Sequence, residues 1–288
     1  MITTIIDADS LVYQAGFVVE HTFYDISTKG GKLIHTFEGK AKVNEWLKEH
    51  GKKESDFSIE SRKEVQPVEV AFSILDNQLK GIQQTFQAEQ ALIYLTDDRS
   101  GYNFRDYVAM QRKYKDRPAN TRPLYYDALR KHLVEKHHAY VITGFEADDA
   151  VAMQAWSTIY HEDVETVLVS IDKDLRMVPG RHYNPTKKTL DHVTPKQALH
   201  NFYVQLLTGD TTDTVPGLPR IGPKKAEDVY KDCDDEGDYF TTAYQLYKKA
   251  FGEAGLMVMI EQARLLWMLR WPGDVWLPKD MYLKEFLS

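Results

Sequence analysis

Gly144-Phe145-Glu146-Ala147-Asp148-Asp149 crowds three carboxylates into four residues, where an apolar strand-like segment, 139–143, gives way to a helix-like run, 150–160. Acidic side chains at a helix start cap free N–H groups and suit the positive end of the macrodipole. The same crowding suits a divalent cation, because carboxylate oxygens are ligands for Mg²⁺ or Mn²⁺ and repel one another without one. The other strand ends decide between the two readings. Asp7 and Asp9 close the apolar run 2–6, Asp97 and Asp98 close 91–96, Asp172 and Asp174 close 166–171, and Asp210 and Asp213 follow a helix-like run at 197–207. Each pair alone is a weak signal, since Asp is common where a strand turns into a loop. In an open α/β sheet, however, ligands bind beyond the carboxyl ends of the strands, so these ends converge on one rim. The joint pattern favours a metal site.

A chain of 288 residues buries a large core and makes one big domain or two modest ones. Its 43% hydrophobic and 27% charged residues are those of a soluble globular protein. No apolar run reaches the roughly 18 residues that span a bilayer, and the chain enters a strand at its first residues without a basic, apolar leader. The single cysteine, Cys233, forms no internal disulfide, so a reducing cytoplasm is expected, that of a host if the chain is phage-encoded. The net charge of −7 argues against a polyanionic partner until its distribution is considered. Between Arg99 and Lys136 ten Lys or Arg stand against four acids, so a nucleic-acid surface remains open.

In chain order, a first strand at 3–6 and a helix opening at 11–15 precede a hairpin insertion at 17–37 around Lys29-Gly30-Gly31. A short helix at 40–50 and a polar linker at 51–66 follow. Pro67 opens a helix to about Phe86, with Val68, Ala71, Phe72, Leu75, Leu79 and Ile82 at helical spacing. After the strand at 91–96, Tyr102, Phe104, Tyr107 and Tyr114 interleave with Arg105, Arg112, Lys113, Lys115 and Arg117. The plain reading is an exposed amphipathic helix ending at Pro118. Cations that neutralise phosphates and rings that stack on bases favour a strand-gripping segment. Pro123 begins a further helix to about His138. Thr194-Pro195 caps a helix to Leu207. The turn Gly217-Leu218-Pro219-Arg220-Ile221-Gly222 leads into a helix with Lys224 and Lys225 in its first turn. Lysines there oppose the helix dipole, so a clamp on phosphate backbone is favoured over a plain helix start. The segment 239–269 reads as two packed helices.

At these residues the sequence resembles the 5′-nuclease superfamily of flap endonucleases, 5′-nuclease domains of bacterial DNA polymerases and T-odd bacteriophage 5′→3′ exonucleases. The motifs are Ile5-Ile6-Asp7, Leu95-Thr96-Asp97, Tyr114-Lys115, Gly144 to Asp149, Ser170-Ile-Asp-Lys-Asp174, Gly209-Asp-Thr-Thr-Asp213 and Gly217 to Gly222, in the family's order. The tail, 262–270, looks most like the phage exonucleases. The resemblance implies a mainly parallel, doubly wound, PIN-like α/β sheet over 1–190, with an insert at 17–66 and a basic arch or clamp at 99–137. It also implies a helical region at 191–288 with a helix-hairpin-helix-like DNA-binding motif.

Carried over, it implies a first ion, Mg²⁺ or Mn²⁺, on Asp7, Asp97, Glu146 and Asp148, with Asp98 a competing register for Asp97. Asp149, Asp172, Asp174, Asp210 and Asp213 would hold or orient a second ion. Asp148 and Lys115 would be catalytic, with Lys115 reaching the scissile phosphate. Arg105, Arg112, Lys113, Tyr114, Lys115 and Arg117 would grip DNA from the clamp. Gly217, Arg220, Ile221, Gly222, Lys224 and Lys225 would grip duplex from the hairpin, with K⁺ as a further ion there. The stretch after Lys115 is too short for a long threading arch, and the insert at 17–66 departs from many relatives.

The implied activity is metal-dependent 5′→3′ exonuclease action near DNA 5′ ends in replication or recombination, with flap cleavage and RNase H-like action on RNA–DNA hybrids, by a monomer without membrane partners. Two other readings stand beside it: a phosphatase with an aspartyl nucleophile, suggested by Asp7-Ala8-Asp9 after the first strand, and a non-catalytic DNA-binding protein.

Overall fold

A computed structural model describes residues 1–116, 118, 121–159 and 164–279. The strands are β1 (Ile2–Asp7), β2 (Glu20–Ser27), β3 (Leu33–Glu38), β4 (Ser58–Val65), β5 (Gln90–Thr96), β6 (Tyr140–Ile142), β7 (Glu165–Val169), β8 (Gly180–Asn184) and β9 (Thr189–Val193). The helices are α1 (Asp9–Val18), α2 (Lys40–Glu49), α3 (Val68–Phe86), α4 (Phe104–Val108), α5 (Tyr126–His137), α6 (Ala147–Thr158), α7 (Pro195–Thr208), α8 (Pro223–Tyr230), α9 (Glu236–Phe251) and α10 (Gly255–Leu266). Contacts divide the chain into two compact units: the described residues of Met1–Ser10, Gly81–Asn120 and His137–Ser288, and those of Leu11–Lys80 and Thr121–Lys136. This partition differs from a boundary at residue 190, because the C-terminal helices pack into the same unit as the strands that carry the acids.

In the first unit the sheet order is β6-β5-β1-β7-β8-β9. All pairings are parallel except β8 with β9. β1 is central, and Ile5 and Ile6 are fully buried, as its unbroken apolar run requires of a parallel strand covered on both faces. The chain leaves β1 toward β5 and β6 and then returns to its other side at β7. The ends of β1 and β7 therefore flank the point where strand order reverses, where an α/β sheet opens a crevice. α6 packs on β1, β5 and β7 through buried Ala147, Ala150, Val151 and Ala155. Short alanine side chains let its first turn, with Asp148 and Asp149, come close over the strand ends.

In the second unit β3-β2-β4 form an antiparallel sheet, and α2 packs its Val43 and Leu47 on Ile26 of β2. The hairpin and α2 match the sequence reading. β4 falls in the expected linker: Ser-Ile-Glu-Ser-Arg-Lys-Glu-Val is a charged, mostly exposed edge strand, and charge on an edge strand blocks further pairing while hiding the alternation.

The basic segment also departs from expectation. α4 is one short helix, capped by Asn103 Oδ1, which accepts from the Arg105 N–H at 3.0 Å. Beyond it, the N–H groups of Met110 and Gln111 donate to Glu261 Oε1 at 2.7 and 2.8 Å, so this backbone is satisfied without a helix. Arg105 itself turns inward. It is 0% exposed, donates Nη1 and Nη2 to the two oxygens of Asp149 at 2.5 and 2.8 Å, and donates Nε to Leu265 O and Nη2 to Trp267 O, both at 2.9 Å. Its expected grip on DNA is thereby corrected: the guanidinium is a fastener joining α4, α6 and the end of α10. Asp149, fully buried, is its counter-charge and also accepts from the Leu269 N–H at 3.3 Å. Both carboxylate oxygens of Asp149 are thus engaged by the protein.

Removing one partner of such a pair strands a buried charge. Arg105→Met is expected to lower stability by about 3–5 kcal/mol in denaturant titration, with Arg105→Met/Asp149→Leu recovering part of the loss. Equal losses for the single and double variants would contradict this role.

Candidate functional site

The carboxylates gather along the carboxyl-end rim of the first unit in two linked groups. The first is built on the start of α6. Glu146 precedes the helix, and its carboxylate receives the Lys115 amine and lies 3.1 Å from the Tyr114 hydroxyl. The Tyr114 hydroxyl lies 2.9 Å from Asp213 Oδ2, and Lys115 Nζ is 3.7 Å from Asp213 Oδ1. The Lys115 N–H donates to Asp213 O at 3.1 Å, which ties the basic loop to the acidic loop after α7. Lys115 adopts φ 49°, a left-handed conformation that aims its amine back at the acids. Burial alone would raise the Glu146 carboxyl, but Lys115 and Arg105 outweigh it and hold the group below its usual range. At Asp148 the balance is reversed: burial, then Glu146 and Asp149, push it well up and outweigh the lowering by Arg105 and Lys115. Asp213 is also raised, by burial first, against the pull of Lys115.

The second group stands at the ends of β1 and β7. Asp7 Oδ2 accepts from Ser170 Oγ at 2.9 Å, while its Oδ1 accepts from the Asp9 N–H at 3.2 Å. Burial, followed by Asp9 and in smaller part Asp172, pushes the Asp7 carboxyl up to about 7. Asp172 is held over the loop by Ser170 Oγ, which accepts its N–H at 3.0 Å, and its Oδ1 accepts from the Asp174 N–H at 2.8 Å. Asp174 is buried and raised to about 7 by that burial and by Asp172. Gln205 spans the next gap, donating to Asp174 Oδ1 at 2.8 Å and to Asp210 Oδ2 at 3.2 Å. Lys173 Nζ reaches Asp210 Oδ2 at 2.7 Å, and this pairing holds Asp210 below its usual range against the opposing effect of burial. Asp210 and Asp213 sit on one loop, so the two groups are continuous.

That loop depends on two glycines packed back to back. Gly209 has φ 70° and Gly217 φ 65°; a Cβ on Gly209 would stand 2.3 Å from Val215 O, and one on Gly217 would stand 2.4 Å from Gly209 N. Gly217 is buried and donates its N–H to Gln262 Oε1 at 2.8 Å. Its expected contact with DNA is thus corrected to a structural one: close backbone approach that shapes the Asp210 loop. Arg220, Gly222, Lys224 and Lys225 are exposed and Ile221 is half-buried, around the start of α8. α7 and α8 pack against one another across this turn.

The remaining expected residues fall as follows. Asp97 accepts from Thr143 Oγ1 at 2.9 Å and from the Arg99 N–H at 3.0 Å, and Asp98 is half-buried beside it. Arg112 and Lys113 are exposed, Tyr114 is buried, and Arg117 lies outside the described residues. Three contributors went unassigned from sequence: Ser170 and Gln205, which orient acids, and Lys173, which pairs with one. Ser170 and Lys173 both stand within the motif Ser170-Ile-Asp-Lys-Asp174, which carried their only signal.

The rim carboxylates offer the oxygen donors that divalent cations take, and burial and mutual repulsion raise several of them, although among the described residues no three of them bring ligand atoms within 4.8 Å of one another.

No family model matches the chain. It is 31% identical over 137 residues to DNA polymerase I of Rhizobium leguminosarum, covering 42% of this chain and 13% of the polymerase. It is 30% identical over 173 residues to Flap endonuclease Xni of Shewanella baltica, covering 55% of this chain and 63% of that protein. The chain thus spans less than two thirds of the length of these relatives. A crystal structure of T5 D15 protein co-crystallised with metal ions superposes with a TM-score of 0.57 at 13% identity, over 92% of this chain and 89% of that one. The bacteriophage T5 D15 flap endonuclease in a pseudo-enzyme-product complex with DNA and metal ions gives 0.55 at 14% identity, over 100% and 98%. Likeness at such identity speaks for the fold alone, and that fold is the PIN-like, mainly parallel one. Motifs, curated relatives and fold neighbours agree on one group, and in both sequence and fold this chain resembles the 5′-nuclease superfamily.

Proposed function

We propose that this chain is a metal-dependent nuclease that hydrolyses phosphodiester bonds near DNA 5′ ends, with 5′→3′ exonuclease action and flap cleavage as its forms. The observation that carries the reading is the linked carboxylate rim with Lys115 at its edge. Asp7, Glu146, Asp148, Asp172, Asp174, Asp210 and Asp213 would hold or orient two divalent ions, Mg²⁺ or Mn²⁺, with Asp97 or Asp98 completing the first set. When bound, such ions supply an activated water and offset charge on the leaving oxygen. Every other part falls to the protein. Ser170 and Gln205 fix carboxylate orientation through hydrogen bonds. The Tyr114 hydroxyl bridges Glu146 and Asp213. Lys115 stays cationic, raised by Glu146 and Asp213 against burial, and its side chain is 32% exposed, so its amine is available to a non-bridging phosphate oxygen.

In the same proposal, Arg112, Lys113 and the 220–225 turn contact backbone phosphates, the 191–288 region holds duplex, and K⁺ binds at its hairpin. The task is resection or primer removal in replication, on DNA or RNA–DNA hybrid, by a cytoplasmic monomer. No described helix is long and apolar enough to cross a membrane.

Asp148→Asn is expected to lower cleavage of 5′-labelled duplex at least about tenfold, and excess chelator to abolish it. Undiminished activity in chelator would overturn the reading, and Mn²⁺-supported binding without turnover would favour a DNA-binding protein instead. A second outcome concerns pH. In metal-free protein Asp7 and Asp174 titrate at about 7 rather than near the ordinary 3.8. Groups with raised folded values stabilise the fold below the ordinary value and lose that contribution as pH climbs through the folded one. Thermal unfolding in chelator is therefore expected at lower Tm at pH 8 than at pH 5, with Mg²⁺ restoring more at pH 8. A Tm that rises with pH in chelator would contradict it.

A further inference from the structure

Beside the acids, a solvent-open groove of about 160 Å³ lies between the end of β7 and the β8–β9 hairpin. One wall is the motif stretch Ser170 to Lys173, and the other, on the β8–β9 hairpin, lies outside every motif. Its floor is Leu168 and Leu175, and its rim carries Asp172, Lys173, Arg176 and Lys187. The hairpin turn that bears Lys187 is fixed by Asn184 Oδ1, which accepts the N–H groups of Thr186 and Lys187 at 3.1 and 2.9 Å. Among the described residues Lys187 has no ion pair, whereas Arg176 is paired with Asp191 at 2.8 Å. Ile171, between Ser170 and Asp172, is 47% exposed on the same rim. An apolar surface beside unpaired cationic charge, next to a rim built for phosphate chemistry, matches a ligand with a flat ring and an anionic group.

We propose that this groove seats one nucleotide of the strand being cut, next to the scissile phosphate, with the base against Ile171 and its phosphate toward Lys187. The inference rests on the nuclease reading and adds a position for substrate that the acidic rim alone does not define. Seating a nucleotide there would set where along the strand the cut falls. Lys187 is then a specificity residue that acts through binding, while the acids and Lys115 act on the reacting phosphate.

The test uses the full chain and 5′-phosphorylated duplex DNA with 5-iododeoxyuridine at successive positions from the 5′ end. Complexes held in Ca²⁺ are irradiated and the cross-linked peptides identified. Cross-links within 171–187 are expected only from the one or two positions that flank the cut mapped in Mg²⁺. Lys187→Glu, an exposed turn substitution, is expected to abolish them and to raise KM at least about fivefold with kcat within about twofold. Cross-links confined to other segments, with unchanged KM in a Lys187→Glu protein that still cleaves, would overturn the groove while leaving the nuclease reading intact. Wild-type protein that neither binds nor cleaves the duplex would overturn both.

Discussion

Repulsion among like charges held on one rim is the constraint that the first unit of this protein is built to manage. The structure divides its acids into compensated and uncompensated ones. Asp149 is neutralised by Arg105, Glu146 by Lys115 and Asp210 by Lys173. Asp7, Asp148, Asp174 and Asp213 lack a cation strong enough to offset burial, and all four carboxyls are raised. The compensated acids are already held by protein cations, and the uncompensated ones gain most from an added cation.

Backbone geometry makes this gathering possible. A central β1 with fully buried isoleucines ends at Asp7, its neighbour β7 runs into Ser170 and Asp172, and the alanine face of α6 sets Asp148 against the same edge. The final contribution comes from a loop rather than a strand: the opposed Gly209 and Gly217 backbones bring Asp210 and Asp213 in from below α7. Because Tyr114 and Lys115 bond both to Glu146 and to that loop, the basic segment acts as a bridge across the two acid groups as well as a surface.

Much of this was legible in the sequence because buried parallel strands are continuous apolar runs and each ended in acids. The central strands, α3, α7 with its Thr194 capping box, and the α9–α10 pair follow the expected periodicities closely. What escaped was decided by tertiary context. Arg105 looks like one more cation in a basic stretch, and only folding reveals that Asp149 and two carbonyls surround it. β4 is charged and mostly exposed, and the β8–β9 hairpin is short and polar, so neither shows the alternation that marks a strand. Gly217 read as a phosphate-facing turn because sequence shows that a glycine is needed, not whether ligand or backbone approaches it. Ser170 and Lys173 stand inside a motif without a role of their own, and Gln205 stands outside every motif, since orienting a carboxylate calls for a donor of the right reach and not for a particular residue type.

Anomalous diffraction from crystals of the protein equilibrated with Mn²⁺ addresses the central claim most directly. The account predicts two anomalous peaks on the rim, one among Asp7, Glu146 and Asp148 and the other among Asp172, Asp174 and Asp210. Peaks elsewhere on the molecule, with none at these acids under saturating Mn²⁺ at pH 8, would contradict it.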